Sequence, residues 1–211
     1  MTIRPPDLSR LLSLRAQNGF AGEAMAAQAE RFHRLKHRHE NGTAPCAVSS
    51  WQLFQTPRPL AERMAALGAH KAPLCVLEPS AGLGRLLDAV ASYNSAELIA
   101  VEMAESCAAE LRKREGLRVI QRDFLAVDPQ ETGLVDLVLM NPPFHMRADI
   151  RHIQHARKFL LPGGLLVAIC MNTRNREEAL KPLSDSWEEL PEGTFKESNT
   201  NVGTVLLTIR N

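Results

Sequence analysis

The feature that most constrains the fold is an alternation of short apolar runs with helical segments after residue 54. The runs have the length of buried strands, and the stretches between them have the apolar spacing of amphipathic helices. Strand, helix and strand in repetition require right-handed crossovers, and therefore a parallel sheet with helices on both faces. The predicted strands are residues 74–77, 98–101, 117–120, 135–140 and 165–170, with helices near 84–92, 104–114 and 149–161.

The two ends of this region differ from its middle. Thr56 can cap a helix whose first position suits Pro57, and Gly68 can end it. Residues 204–209 form another apolar run, and its predicted partner lies near 193–196. No crossover helix fits between those two strands, so we expect an antiparallel hairpin at the sheet edge. The predicted fold is α/β: a Rossmann-like, doubly wound and mostly parallel sheet with a C-terminal antiparallel hairpin.

Residues 1–50 are predicted to form a helical N-terminal extension, separate from a domain over residues 51–211, because a breaker cluster fills 41–45. The whole chain has 25 basic and 24 acidic residues, which argues against a histone-like clamp. The extension alone has seven basic and four acidic residues. Its basic cluster at 31–39 is open to two interpretations, a nucleic-acid contact or a solvated helix face.

Several classes of protein are excluded by pattern. No apolar run approaches the roughly 18 residues of a membrane span, so we expect no membrane partner. The four cysteines lie far apart with no CxxC pair, which suits neither a zinc site nor a disulfide scaffold and indicates a reducing, cytoplasmic compartment. Asp149, His152 and His155 have ligand chemistry, but the sequence predicts no metal site.

Four consecutive predicted strands end in polar or glycine-bearing segments. The segments are Glu78–Gly84 (EPSAGLG), Glu102–Met103, Asp123–Phe124 and Asn141–Phe144 (NPPF). In an open parallel sheet, ligands bind beyond the carboxyl ends of the strands. We therefore expect these four segments to form one site.

The first three segments suit a nucleoside that carries an amino acid. Gly82 and Gly84 let the backbone turn sharply and approach a ligand. Glu102 can accept hydrogen bonds from ribose hydroxyls, and Asp123 from an exocyclic amine, with Phe124 as a flat neighbour of the purine. A carboxylate at position 78 would repel a pyrophosphate but attract an ammonium group. This favours S-adenosylmethionine over NAD or ATP.

The fourth segment suits a poorly nucleophilic exocyclic amine. The side-chain carbonyl of Asn141 and the backbone carbonyl of Pro142 can both accept hydrogen bonds from such an NH2 group, which localises the nitrogen lone pair. Phe144 can stack on the base, and such stacking contributes about 1–3 kcal/mol. Proximity of amine and methyl carbon supplies the rest, so neither a metal nor a covalent intermediate is needed.

Five motifs together resemble the class I S-adenosylmethionine-dependent methyltransferases. They are FQTP (54–57), EPSAGLG (78–84), IAVE (99–102), DF (123–124) and NPPF (141–144). Their order is similar to that of the gamma-type amino-group DNA methyltransferases, which make N6-methyladenine, and the resemblance covers about residues 51–211. Ser80 replaces the first glycine of the common GxGxG loop, as suits the N6-adenine group.

The resemblance and the strand-end reasoning together give the predicted site. The predicted catalytic residues are Asn141, Pro142 and Phe144. The predicted cofactor-binding residues are Phe54, Thr56, Pro57, Glu78, Ala81, Gly82, Gly84, Glu102, Met103, Asp123, Phe124 and Asn141. The predicted substrate-binding residues are Phe144, His145, Phe195 and Lys196. Arg174, Arg176 and Lys196 are interpreted either as phosphate contacts or as surface charge.

The expected function is transfer of a methyl group from S-adenosylmethionine to an exocyclic amine, with N6 of adenine in DNA as the leading acceptor. Only residues 1–50 could supply the extra target-recognition domain that sequence-specific enzymes of this type usually carry. The alternatives are RNA (guanine N2 or adenine N6) and a protein glutamine amide. A nucleic-acid-binding module with an inactive methyltransferase fold is the non-enzyme alternative.

Overall fold

The computed structural model describes residues 55–69, 73, 75–93, 97–196 and 202–211. The predicted extension over 1–50 and the predicted cofactor residue Phe54 lie outside the described residues. In chain order the elements are α1 (Arg58–Ala69), β1 (Cys75–Pro79), α2 (Arg85–Ala91), β2 (Glu97–Val101), α3 (Glu105–Leu111), β3 (Leu117–Ile120), α4 (Pro129–Thr132), β4 (Val135–Met140), α5 (Ala148–Ala156), β5 (Leu160–Met171), α6 (Arg174–Leu180), β6 (Ser186–Glu189) and β7 (Thr204–Arg210).

The strands form one seven-stranded sheet in the order β3-β2-β1-β4-β5-β7-β6. Strands β1 to β5 are parallel, and β7 runs antiparallel to both of its neighbours, β5 and β6. The predicted fold class is therefore confirmed. The strand order reverses between β1 and β4, and the gap above their carboxyl ends is where an open sheet of this kind binds ligands.

Alternate residues of each central strand face opposite sides of the sheet. Val76 packs into an apolar cluster with Met64 of α1 and Leu86 of α2. Leu77, the next residue, packs into a second cluster with Ile153 of α5. Both faces are covered, which explains why these strands read as continuous apolar runs rather than as alternating ones.

The main error of the sequence prediction lies in the hairpin. Residues 193–196 form turns, in which the amide of Lys196 donates to the carbonyl of Gly193 at 3.0 Å. The partner of β7 is instead β6, whose sequence is SWEE and whose residues are mostly exposed. An edge strand has only one partner and is often charged, so it lacks the apolar run that identified the others.

None of the helices in the described ranges is long and apolar enough to cross a bilayer.

Candidate functional site

The loop after β1 bends back on itself through three residues with positive φ. Ser80, Gly82 and Gly84 have φ values of 60°, 57° and 73°. The amide of Ala81 donates to the carbonyl of Val101 at 3.0 Å, which joins this loop to the end of β2. The turn therefore brings bare backbone to the carboxyl edge of the sheet, as the two glycines predicted.

Glu102 joins the loops that follow β1 and β2. One carboxylate oxygen, Oε2, accepts a hydrogen bond from the amide of Gly82 at 2.7 Å, and the other, Oε1, accepts from the amide of Ala104 at 2.7 Å. The residue is buried. A carboxylate offers about four acceptor positions, so two remain for the hydroxyls of a ribose.

Glu78 is more deeply enclosed than a carboxylate at a polar site usually is. Its side chain is buried, and Oε2 accepts from the amide of Leu87 in α2 at 3.1 Å. Burial raises the pKa of Glu78 well above its ordinary value, although the hydrogen bond from Leu87 opposes that shift. A cation placed beside the carboxylate would favour its charged form, which suits the ammonium group of a methionine moiety.

The end of β3 supplies one acid and one aromatic ring. Asp123 caps the short turn at 124–126 by accepting from the amide of Leu125 at 3.0 Å. Phe124 is only 2% exposed, because its ring packs edge-on against His155 with the centroids 4.9 Å apart. Met103, 70% exposed at the end of β2, offers more open apolar surface to a purine than Phe124 does.

The loop after β4 meets the segment that precedes α1. The Nδ2 atom of Asn141 donates to the hydroxyl of Thr56 at 3.2 Å, and Thr56 is buried. This bond fixes the plane of the amide, and Oδ1 is the atom of that side chain which can accept from a substrate. Arg85 holds the same segment from α2, by donating to the Gln55 side chain at 2.6 Å and to the Thr56 carbonyl at 3.3 Å.

These loops surround a cavity of about 590 Å³. Its size lies within the usual range for small-molecule sites. Nine predicted site residues line it: Thr56, Glu78, Ala81, Gly82, Glu102, Met103, Asp123, Phe124 and Asn141. Glu102 can accept hydrogen bonds from hydroxyl groups, Asp123 can accept from an amine, and Glu78 is a buried carboxylate. Together with the exposed backbone of the loop, they fit a nucleoside joined to an amino acid.

The other predicted residues lie around this cavity or away from it. Pro57, Gly84, Pro142, Phe144, His145, Phe195 and Lys196 are outside its lining. A Cβ on Gly84 would lie 2.7 Å from Nη1 of Arg114, so this glycine makes room for an arginine. Phe195 is 1% exposed and belongs to the same apolar cluster as Val76 and Met64. Its ring is therefore unavailable for stacking in this conformation.

Arg176 also differs from its interpretation in the sequence. It is buried and paired with Asp149, so it is neither a surface charge nor a phosphate contact. Single-residue burial of this kind depends on long-range packing that a local pattern does not carry.

Sequence reasoning missed several lining residues. Some lie inside or next to the motifs but were not predicted as site residues: Gln55, Ser80, Leu83, Val101, Ala104, Leu125 and Pro143. The others are polar residues outside any motif: Arg85, Arg122, Arg151 and His152. For two of them the only signal was position: Arg85 directly follows the EPSAGLG loop, and Arg122 directly precedes Asp123.

His152 contacts the cofactor loop from α5. Its Nδ1 atom lies 3.2 Å from the hydroxyl of Ser80, and its ring lies 5.7 Å from that of Phe124. Burial lowers the pKa of His152 to about 4, so the ring is neutral at pH 7. Within the described residues, no group of His, Cys, Asp and Glu has the arrangement of a metal site.

Comparison with solved structures gives many matches of the same fold. A proposed RNA methyltransferase from Pyrococcus horikoshii superposes with a TM-score of 0.61 at 17% identity, over 74% of this chain and 85% of its own. The modification subunit of a proposed type I restriction enzyme from Vibrio vulnificus superposes with a TM-score of 0.59 at 17% identity. That match covers 90% of this chain but only 50% of the subunit.

The plantazolicin methyltransferase BpumL, solved in complex with SAH, gives a TM-score of 0.52 at 12% identity, over 73% of this chain and 84% of its own. No curated protein matches the sequence significantly. The sequence model of the methyltransferase small domain matches residues 82–196, which is more than half of the chain and includes three of the four strand-end segments. The chain therefore belongs to the methyltransferase small domain family, which implies S-adenosylmethionine as its methyl donor.

Proposed function

We propose that this methyltransferase modifies an exocyclic amine, and that its acceptor is N6 of adenine in DNA. One observation carries the proposal: Asn141 lines the same cavity as Glu78, Glu102 and Asp123. A side chain suited to holding an amine and side chains suited to holding the donor therefore face one enclosed space.

On the donor side, each side chain takes the part of the cofactor that its chemistry fits. The remaining acceptor positions of Glu102 bind the ribose hydroxyls, and Asp123 accepts from the adenine amine. Glu78, the buried carboxylate of this set, would hold the ammonium group. The bound cofactor supplies an electrophilic methyl group on a sulfonium.

On the acceptor side, Asn141 and Pro142 hold the amine. Oδ1 of Asn141 and the carbonyl of Pro142 accept hydrogen bonds from its two N–H groups, while Thr56 keeps the Asn141 amide in plane at 3.2 Å. This concentrates the nitrogen lone pair toward the donor. A bound donor would supply its methyl group to this nitrogen and leave as the thioether, and the surplus proton would pass to solvent. Phe144 would stack on the base, and His145 and Lys196, which are exposed, would be further contacts for the substrate.

DNA is favoured as the acceptor by the EPSAGLG loop and the order of the motifs. The fold is also shared with the modification subunit from Vibrio vulnificus. A duplex substrate requires extrusion of the target base into the pocket, as enzymes that act on bases generally do. Arg122 and Arg151, which line the cavity, would then lie near the phosphates that flank the extruded base.

RNA is the second candidate, and one residue favours it. His145 follows NPPF, as it does in many methyltransferases that modify guanine N2 of ribosomal RNA, and the Pyrococcus horikoshii protein shares the fold. A protein glutamine amide has the same conjugated nitrogen chemistry. A binding module with an inactive fold is the least favoured, because binding alone needs no group that localises an amine lone pair.

The test is transfer of a tritiated methyl group from S-adenosylmethionine to DNA, RNA and protein in parallel, followed by identification of the modified product. We expect N6-methyladenine in DNA. N2-methylguanine in RNA would replace the DNA proposal by the RNA one. Labelling of no acceptor, with cofactor binding intact, would refute the enzymatic proposal altogether.

A further inference from the structure

A buried ion pair lies behind the acceptor loop, outside the cavity lining. Arg176, in the first turn of α6, donates from Nε to Oδ2 of Asp149 at 3.0 Å and from Nη2 to Oδ1 at 3.1 Å. The side chains of Asp149 and Arg176 are 0% and 9% exposed. Two parallel hydrogen bonds of this kind fix orientation as well as distance.

The pair also binds the backbone on either side of it. Nη2 of Arg176 donates to the carbonyl of Phe144 at 3.1 Å, at the end of the NPPF segment. Oδ2 of Asp149 accepts from the amide of Met171, the last residue of β5, at 3.3 Å. Two side chains thus join the acceptor loop, the end of β5 and the first turns of α5 and α6.

The backbone between Phe144 and Asp149 is strained. Met146 (φ 48°, ψ 36°) and Arg147 (φ 58°, ψ 31°) are two consecutive non-glycine residues in the left-handed region. Such conformations persist only where the surrounding structure determines them. Both ends of this corner are held by the same ion pair, at the Phe144 carbonyl and at the Asp149 side chain.

A buried ion pair is weak evidence for stability, because apolar side chains of similar volume often serve equally well. Its distinctive property is geometric: an apolar pair cannot donate to the Phe144 carbonyl. We propose that Asp149 and Arg176 are positioning residues that set the angle of the NPPF loop toward the methyl donor. This inference rests on the proposed function, since it assigns the loop to the acceptor amine.

The decisive variant is Asp149→Asn combined with Arg176→Met. It removes both charges together, keeps an oxygen for the Met171 amide and fills the volume of the arginine. We expect a folded protein with unchanged affinity for S-adenosylmethionine, because neither Asp149 nor Arg176 is among the residues that line the cavity. We expect kcat to fall by about 10²-fold, the typical cost of a misplacement near 1 Å.

A second measurement does not depend on turnover. Hydrogen exchange of the amides at 144–148 is expected to accelerate in the double variant, because the corner loses its anchor. Arg176→Lys keeps the charge but not the planar fork, so we expect it to fold and to show the same two defects. Glu177→Gln is the matched control: this residue lies on the same helix, its side chain is 50% exposed, and neither measurement should change.

The outcomes separate the two proposals. A folded double variant with wild-type turnover and wild-type exchange would overturn the positioning role. If the wild-type protein methylates no acceptor, the proposed function fails, and unchanged exchange at 144–148 would then also refute the claim that the pair fixes the loop.

Discussion

The donor side and the acceptor side of the cavity are built in different ways. On the donor side, successive strand ends are joined by contacts between neighbouring loops, such as Glu102 with the amide of Gly82. On the acceptor side, Asn141 contacts Thr56, which is 85 residues earlier, and Phe144 contacts Arg176, which is 32 residues later. Local motifs therefore describe the donor side well, whereas the acceptor side depends on the completed fold.

The largest expected effect separates the two sides by function. Asn141→Ala removes an acceptor for the substrate amine, and loss of one preorganised partner of this kind costs about 10²–10³ in rate. Single-turnover kinetics should show the loss in the chemical step, while calorimetry shows cofactor affinity close to wild type. Unchanged turnover would remove Asn141 from the acceptor side.

The second prediction concerns His152, which contacts the donor loop from α5. Its pKa is about 4 in the folded protein and near 6.5 when unfolded, so the unfolded chain binds the proton more tightly. Stability from this group is complete above pH 6.5 and is lost as the pH falls toward 4, by about 3 kcal/mol in total.

Urea unfolding from pH 7 to pH 4 tests this sign against the His152→Gln variant. The wild type should lose stability more steeply than the variant over that range. Glu78 acts in the opposite direction, because its raised pKa favours the folded state as the pH falls, but it does so in both proteins. If the free energy of unfolding fell equally in the wild type and the variant, His152 would not be buried in its neutral form.

The third prediction tests the junction of the donor loops. Glu102→Gln replaces one acceptor oxygen by an NH2 group, which would face the amide of Gly82 or Ala104. Loss of a charged hydrogen bond predicts a Kd for S-adenosylmethionine higher by about 10- to 100-fold. Glu105→Gln, at an exposed position of the same region, is the control and should leave calorimetric affinity unchanged.

The smallest expected effect tests whether Gly84, on the donor side, has a structural role. Gly84→Ala places a Cβ at φ 73° against Arg114, whereas Gly116→Ala has the same φ of 73° and no atom within 4 Å. A positive φ alone costs about 1–2 kcal/mol, so thermal unfolding should show that loss for Gly116→Ala and a larger one for Gly84→Ala. If Gly84→Ala instead weakened only cofactor binding, the original interpretation of Gly84 as a cofactor residue would be restored.

The outcome of the sequence predictions follows the same division. Strands β3 and β4 begin and end at the predicted residues. β4 is almost wholly buried and mostly apolar, and the partly buried β3 keeps three apolar residues around Arg118. The polar edge strand β6 gave no such signal. Arg176 could not be predicted as buried, because its partner Asp149 lies 27 residues earlier and nothing local relates the two.

The contact between Thr56 and Asn141 has a consequence for biosynthesis. The three donor loops emerge from the ribosome before β4 is made, whereas the amide of Asn141 gains its orientation only when a residue from before the first strand closes over it. Arg176 is added later still. During synthesis, the donor-side residues therefore precede the acceptor loop, whereas the groups that orient this loop come both before it, at Thr56, and after it, at Arg176.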